Sequence, residues 1–162
     1  MTIKWDRFSP KALRSICEST RRLNIWHGAV RSSKTVSSIV RFLEFLATAP
    51  PGDILISGKT ERTVYRNILR PIQDIVGRGN FHYARNTGEC TIAGRLCYVA
   101  GANDERAEEK IRGMTLIGAY VDEATVLPES FFRMLGTRLS LPGAKMFVTT
   151  NPDSPFHWLY TD

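Results

Sequence analysis

Short apolar runs alternate along the chain with longer segments whose apolar residues recur every three to four positions. Runs of the first kind suit strands and the 3.6-residue period suits helices, so the alternation predicts a mostly parallel sheet flanked by helices. Leu23-Asn24-Ile25-Trp26-His27 reads as a strand closed by Gly28. From Lys34 to Thr48, the spacing of Val36, Ile39, Val40, Leu43, Leu46 and Ala47 predicts a helix, which Pro50-Pro51-Gly52 stops. Ile54-Leu55-Ile56 predicts a short strand covered on both faces. Thr60 is suited to cap a following helix whose buried stripe is Val64, Ile68, Leu69 and Ile72. Residues 81–100 predict an inserted β-hairpin turning at Gly94-Arg95, with glycine first in a type II′ turn. A short helix is expected from Asn103 to Ile111 and a strand from Leu116 to Val121. Pro128 opens a helix with Phe131, Leu135 and Leu139 four apart, and Lys145 to Thr149 is the last strand expected. No repeat, low-complexity stretch or linker divides residues 1–162, so one domain is expected, with 1–22 as its N-terminal segment.

Gly28-Ala29-Val30-Arg31-Ser32-Ser33-Lys34-Thr35 lies between a predicted strand and a predicted helix. It meets the phosphate-loop pattern G-x-x-x-x-G-K-[ST] at every fixed position but one, where Ser33 replaces the second glycine. In such a loop, backbone N–H groups and the helix N-terminus face the phosphates. Lys34 is placed to reach the β- and γ-phosphates, and the Thr35 hydroxyl to coordinate Mg²⁺. The run 116–121 leads directly into Asp122-Glu123, and an acid at that end of a parallel strand faces the crevice where such sheets bind ligands. Asp122 is then a candidate metal residue and Glu123 a candidate for orienting the attacking water. Thr149-Thr150-Asn151 follows the last strand in the same way and could sense the γ-phosphate, while Asn151-Pro152 also suits a plain turn.

At 162 residues the chain has room for one domain of ordinary size, and 43% hydrophobic with 23% charged residues excludes disordered or collagen-like readings. No apolar run reaches the roughly 18–20 residues needed to span a bilayer, and the first residues lack a signal-peptide core, so export is not expected. Cys17, Cys90 and Cys97 show no CxxC spacing and suggest a reducing compartment. Lys+Arg of 22 against Asp+Glu of 16 gives +6, compatible with nucleic acid or nucleotide phosphate as partner, or with a solvated basic surface. Arg62, Arg66 and Arg70 recur every fourth residue opposite the apolar stripe, where they either track DNA phosphates or form a solvated face. Arg112 could lie near DNA or nucleotide. His27, His82 and His157 lack ligand spacing and read as structural, and Trp5, Trp26 and Trp158 as packing residues.

Taken together, Gly28–Thr35, Lys110-Ile-Arg-Gly-Met-Thr115, Gly118-Ala-Tyr-Val-Asp-Glu-Ala124 and Thr149-Thr-Asn-Pro-Asp-Ser-Pro155 resemble the large terminase subunit of tailed bacteriophages. The likeness runs from about Phe8 to the chain end, with four motifs in the family's order. It implies a P-loop NTPase fold of the ASCE type and an ATPase motor that packages viral double-stranded DNA into a capsid. ATP and Mg²⁺ are the implied cofactors. The portal, the small terminase subunit and further copies of the chain are the implied partners, in the host cytoplasm. By position, Lys34 and Thr35 take phosphate-loop roles, Asp122 the metal role and Glu123 that of catalytic carboxylate. Arg31 matches an arginine thought to act on the γ-phosphate, and Thr149-Thr150-Asn151 the motif coupling hydrolysis to DNA movement. Ser33 departs from the family's glycine, and Ala12 in Ser9-Pro10-Lys11-Ala12 from its adenine-recognising glutamine. Such subunits continue into a nuclease domain, which is not expected within these residues. The alternatives are a module that binds nucleotide without turnover, or a helicase-like ATPase.

Overall fold

A computed structural model of the chain describes residues 9–11, 14, 22–27 and 34–151. Seven strands form one sheet: β1 (Leu23–His27), β2 (Asp53–Gly58), β3 (Phe81–Ala84), β4 (Glu89–Ile92), β5 (Arg95–Gly101), β6 (Leu116–Val121) and β7 (Lys145–Thr150). Their order is β1-β7-β6-β2-β5-β4-β3. The first five in that order run parallel, and β4 is antiparallel to both its neighbours. Every residue of β6 is buried, as its unbroken apolar run requires of a central strand covered on both faces. By contrast β1, at the sheet edge, alternates exposed and buried residues.

Helix α1 (Lys34–Thr48) lays Ile39, Phe42, Leu43 and Phe45 on the sheet, where Phe42 and Phe45 meet Phe147 at ring separations of 5.8 and 5.4 Å. Gly118 of β6 lies under Phe45, and a Cβ there would sit 2.5 Å from the ring edge. Trp26 packs on Phe147 at 6.3 Å, as its reading as a core residue requires. The Thr60 cap is present, its hydroxyl accepting from the Thr63 N–H at the start of α2 (Glu61–Val64). Beyond α2 the path widens into a π-helical turn, Tyr65–Leu69, before α3 (Arg70–Val76). Val64, Ile68, Leu69 and Ile72 are all fully buried along this composite helix. α4 (Glu105–Arg112), capped by Asp104, and α5 (Glu129–Arg138) follow, and no described helix is long and apolar enough to cross a membrane.

The expected hairpin is present but turns one residue earlier. Ile92 pairs with Arg95, so the two-residue loop is Ala93-Gly94, with φ of 48° and 82°. Two positive φ values are the mark of a type I′ turn, not the type II′ turn inferred from a glycine in first place. Nor is the hairpin detached, because β5 continues past its turn to pair in parallel with β2. Gly101 ends that strand against the Thr60-Glu61 backbone, where a Cβ would approach to 2.7 Å.

Candidate functional site

Parallel pairing sets the C-terminal ends of β1, β7, β6 and β2 along one edge of the sheet. His27 pairs with Thr150 and Val121 with both Val148 and Ser57, so the polar residues that follow these strands converge. The Asp122 N–H continues the ladder by donating to the Ser57 carbonyl at 2.8 Å. Glu123 then leaves the sheet in the left-handed region, φ 50° and ψ 57°, a conformation uncommon for a residue with a side chain.

One hydroxyl joins two groups at this edge. Thr149 Oγ1, almost fully buried, donates to Asp122 Oδ1 at 2.9 Å and accepts from the Glu123 N–H at 3.1 Å. Asp122 Oδ2 accepts from Asn67 Nδ2 at 3.2 Å, so both carboxylate oxygens are held. Burial is the largest influence on Asp122 and pushes its carboxyl above the ordinary range, against the Thr149 and Asn67 hydrogen bonds and the Lys34 charge. Across the site Lys34 Nζ donates to the Thr150 carbonyl at 2.8 Å and to Asn151 Oδ1. Burial also holds the Lys34 amine below the ordinary lysine range, while the Glu123 and Asp122 charges act the other way. Behind them, Ser38 Oγ donates to the Thr35 carbonyl at 2.8 Å and lies 2.7 Å from the buried Tyr120 hydroxyl. That pair fastens the first turn of α1 to β6.

Lys34, Thr35, Asp122, Glu123, Thr149, Thr150 and Asn151 thus stand together, as their sequence motifs anticipate. Gly28, Ala29, Val30, Arg31, Ser32 and Ser33 lie outside the described residues, as do Ala12, Cys17, His157, Trp5 and Trp158. Among the described residues no group of three His, Cys, Asp or Glu side chains could hold a metal, and His27 and His82 are exposed. Asn67 was not anticipated. Its only sequence signal is an amide beside the apolar stripe of the same helix. Ser38 gave no signal beyond a small polar residue on a buried helix face.

Residues 27–162 match the protein family described as the large terminase subunit, T4likevirus-type, N-terminal. The chain belongs to this family. Among solved structures, the large terminase of the thermophilic bacteriophage D6E superposes with a TM-score of 0.82 at 25% identity, covering 95% of this chain and 41% of that one. The same phage's large terminase in complex with ADP gives 0.78 at 27% identity, covering 96% and 41%. The large terminase ATPase domain of Thermus phage P74-26 shares the fold, with a TM-score of 0.67 at 16% identity over 93% of this chain and 66% of that one. No curated protein sequence matches the chain. This terminase chain therefore spans about two-fifths of the length of the D6E proteins it matches. Its mixed seven-stranded sheet flanked by helices is the fold of large terminase ATPase domains.

Proposed function

We propose that these residues form the ATP-hydrolysing motor of a phage packaging terminase, in which Mg²⁺-dependent hydrolysis drives translocation of double-stranded DNA into a capsid. The observation that carries the reading is the Thr149 hydroxyl bridging Asp122 and the Glu123 backbone, with Lys34 reaching the next residue of the same strand. Two motifs far apart in sequence are thereby in register with a third. The D6E large terminase is known in complex with ADP and with ATP-gamma-S, which supports nucleotide as the ligand of this edge.

In this mechanism Lys34 and Arg31 offer positive charge to the β- and γ-phosphates, and charge stabilisation supplies most of the catalysis. The oxygens of Thr35 and Asp122 suit Mg²⁺, a hard cation that takes few protein ligands and keeps several waters. A buried carboxylate whose burial disfavours its charge gains from a cation beside it, so the donor set fits the ion. Bound there, Mg²⁺ would neutralise charge on the phosphate oxygens. Glu123 orients the attacking water and takes its proton. Thr149, Thr150 and Asn151 link that chemistry to β7, and through it to the DNA-handling surface. Double-stranded DNA, the portal, the small terminase subunit and further copies of the chain are the proposed partners, in the host cytoplasm.

Calorimetric titration with ATP and Mg²⁺, followed by phosphate release with and without duplex DNA, tests the reading. Wild type and Glu123→Gln should bind nucleotide, Lys34→Ala should bind it far less, and Glu123→Gln should not turn it over. Absence of ATP binding by the wild type, or turnover by Glu123→Gln at the wild-type rate, would overturn it.

A further inference from the structure

A second concave site opens on the same edge of the sheet, at the end away from Lys34. It encloses about 440 Å³ and is lined by Glu61, Arg62, Tyr65, Tyr83 and Arg85. Its parts come from two directions. Glu61 and Arg62 begin α2, just past β2, and Tyr65 opens the π-helical turn, while Tyr83 stands on β3 and Arg85 follows that strand. Because β3 runs parallel to β2, both sets of residues leave the sheet on the same side.

The chemistry of the lining is specific. The Tyr65 and Tyr83 rings lie nearly parallel, 23° apart with centroids at 5.8 Å, and the Arg85 guanidinium sits 5.7 Å from the Tyr65 centroid. Arg62 and Arg85 are both exposed, and they share the lining with one carboxylate, Glu61. The Tyr83 hydroxyl, which burial and then the Glu61 charge raise above its ordinary range, is a protonated donor at neutral pH as any tyrosine is. The next exposed arginine on the helix, Arg66, donates through Nε to Asn67 Oδ1 at 3.4 Å, and Asn67 in turn donates to Asp122. Two guanidinium forks, a donor hydroxyl and flat apolar rings suit an anion attached to a sugar. The volume of about 440 Å³ admits one such unit.

We infer that this pocket seats one sugar–phosphate unit of the DNA backbone, with Arg62 and Arg85 on the phosphate and the edges of the stacked tyrosines, with the Tyr83 hydroxyl, against the deoxyribose. This rests on the proposed reading of the chain as a DNA-handling motor, and gives that motor a defined contact on the strand side of the sheet away from the phosphate loop. Arg62 here acts as a phosphate ligand, while Arg66 and Arg70, also exposed, lie further along the composite helix that includes the π-helical turn. A contact made to phosphate and sugar carries no sequence information directly, so binding here should be independent of base sequence.

Fluorescence anisotropy of the full chain with a labelled duplex of mixed sequence, without nucleotide, tests the seat across roughly 50 to 200 mM salt. Arg62→Ala with Arg85→Ala should weaken binding about tenfold or more at low salt, and lower the slope of log K against log salt by about 1–2. Glu61→Gln should act in the opposite sense and tighten binding, a sign that a merely structural role would not give. Arg62→Lys with Arg85→Lys, which keeps the charges, should retain the slope even if the alanine variant fails to fold. An unchanged slope in folded alanine variants, weaker binding by Glu61→Gln, or a polyglutamate peptide that binds as tightly as DNA and is lost in the same variants would overturn the inference. Since no nucleotide is present, failure of ATP hydrolysis leaves this result standing, and loss of the seat leaves the hydrolysis test standing.

Discussion

Thr149→Val isolates the hydroxyl that bridges the Asp122 carboxylate and the Glu123 backbone. Valine keeps the shape of threonine, leaves no room for a replacement water, and removes the only atom that both donates to Asp122 Oδ1 and accepts from the Glu123 N–H. A buried polar group left without its partner costs about 1–3 kcal/mol; the Asp122 oxygen is buried but the Glu123 N–H only partly so, and the two together are expected to cost about 2–4 kcal/mol. At about 2–4 °C per kcal/mol in a domain of this size, Tm should fall by roughly 4–16 °C at neutral pH. The pH dependence adds a second, sharper check. Asp122 is already held above the ordinary carboxylate range by burial, and the Thr149 hydrogen bond is the largest influence opposing that shift. Its loss raises the folded-state pKa further. A carboxyl raised on folding contributes stability in acid that is lost as pH rises through its folded-state pKa. The deficit of the valine variant is therefore greatest where Asp122 is ionised, and shrinks as pH falls through that pKa. Thermal melts of wild type, Thr149→Val and Thr149→Ser at neutral and mildly acid pH provide the comparison, the serine variant keeping the hydroxyl and most of the stability. A valine variant that melts with the wild type at neutral pH, or whose deficit grows on acidification, would refute the reasoning.

Three further outcomes are expected. Asp122→Asn removes a buried charge while Asn67 can turn its amide over to accept, giving up only its long, exposed bond from Arg66, so stability at neutral pH should rise by about 0.5–2 kcal/mol as Mg²⁺-dependent nucleotide binding falls; a lower Tm at neutral pH contradicts this. Gly118→Ala drives a Cβ to 2.5 Å from the Phe45 ring, whose place is fixed by Phe147, and should cost about 1–3 kcal/mol in chemical denaturation. Phe45→Leu in the same chain should recover part of that loss. Cys90 and Cys97 face each other across β4 and β5, fully buried, with the Cys90 thiol pushed up to about 12 and Cys97 raised still further. In a Cys17→Ser background a thiol reagent near neutral pH should label neither until the protein is denatured, and rapid native labelling would contradict the burial.

The sheet was largely legible in the sequence because its strands are bounded by chemistry that acts locally. Leu23–His27 and Leu116–Val121 end where polar motifs begin, and α1 is bracketed by Lys34 and by the prolines after Thr48. The hairpin turn was misplaced because Ala93, a residue that rarely adopts positive φ, takes that conformation when cross-strand pairing of Ile92 with Arg95 demands it. Nothing local announces the π-helical turn at Tyr65–Leu69, since the stripe from Val64 to Ile72 reads equally well at an α-helical period. Within the site, the charged members were recognisable from motif spacing. Asn67, Ser38 and Tyr120 were not, because their partners are 55 and 82 residues distant and only the sheet order brings them into reach.

Lys34 carries a consequence of its own. Its ammonium rests on the Thr150 carbonyl and on the Asn151 amide oxygen, so any anion that attracts this charge competes with the tip of β7 for it. The exchange runs in both directions. Drawing the lysine toward a phosphate slackens its tether on the strand tip, and pulling on the strand tip alters the hold on the phosphate by the same free energy. On the proposed reading, load that moves the tip of β7 would thus be read as a change in phosphate affinity, with one side chain serving as both clasp and gauge.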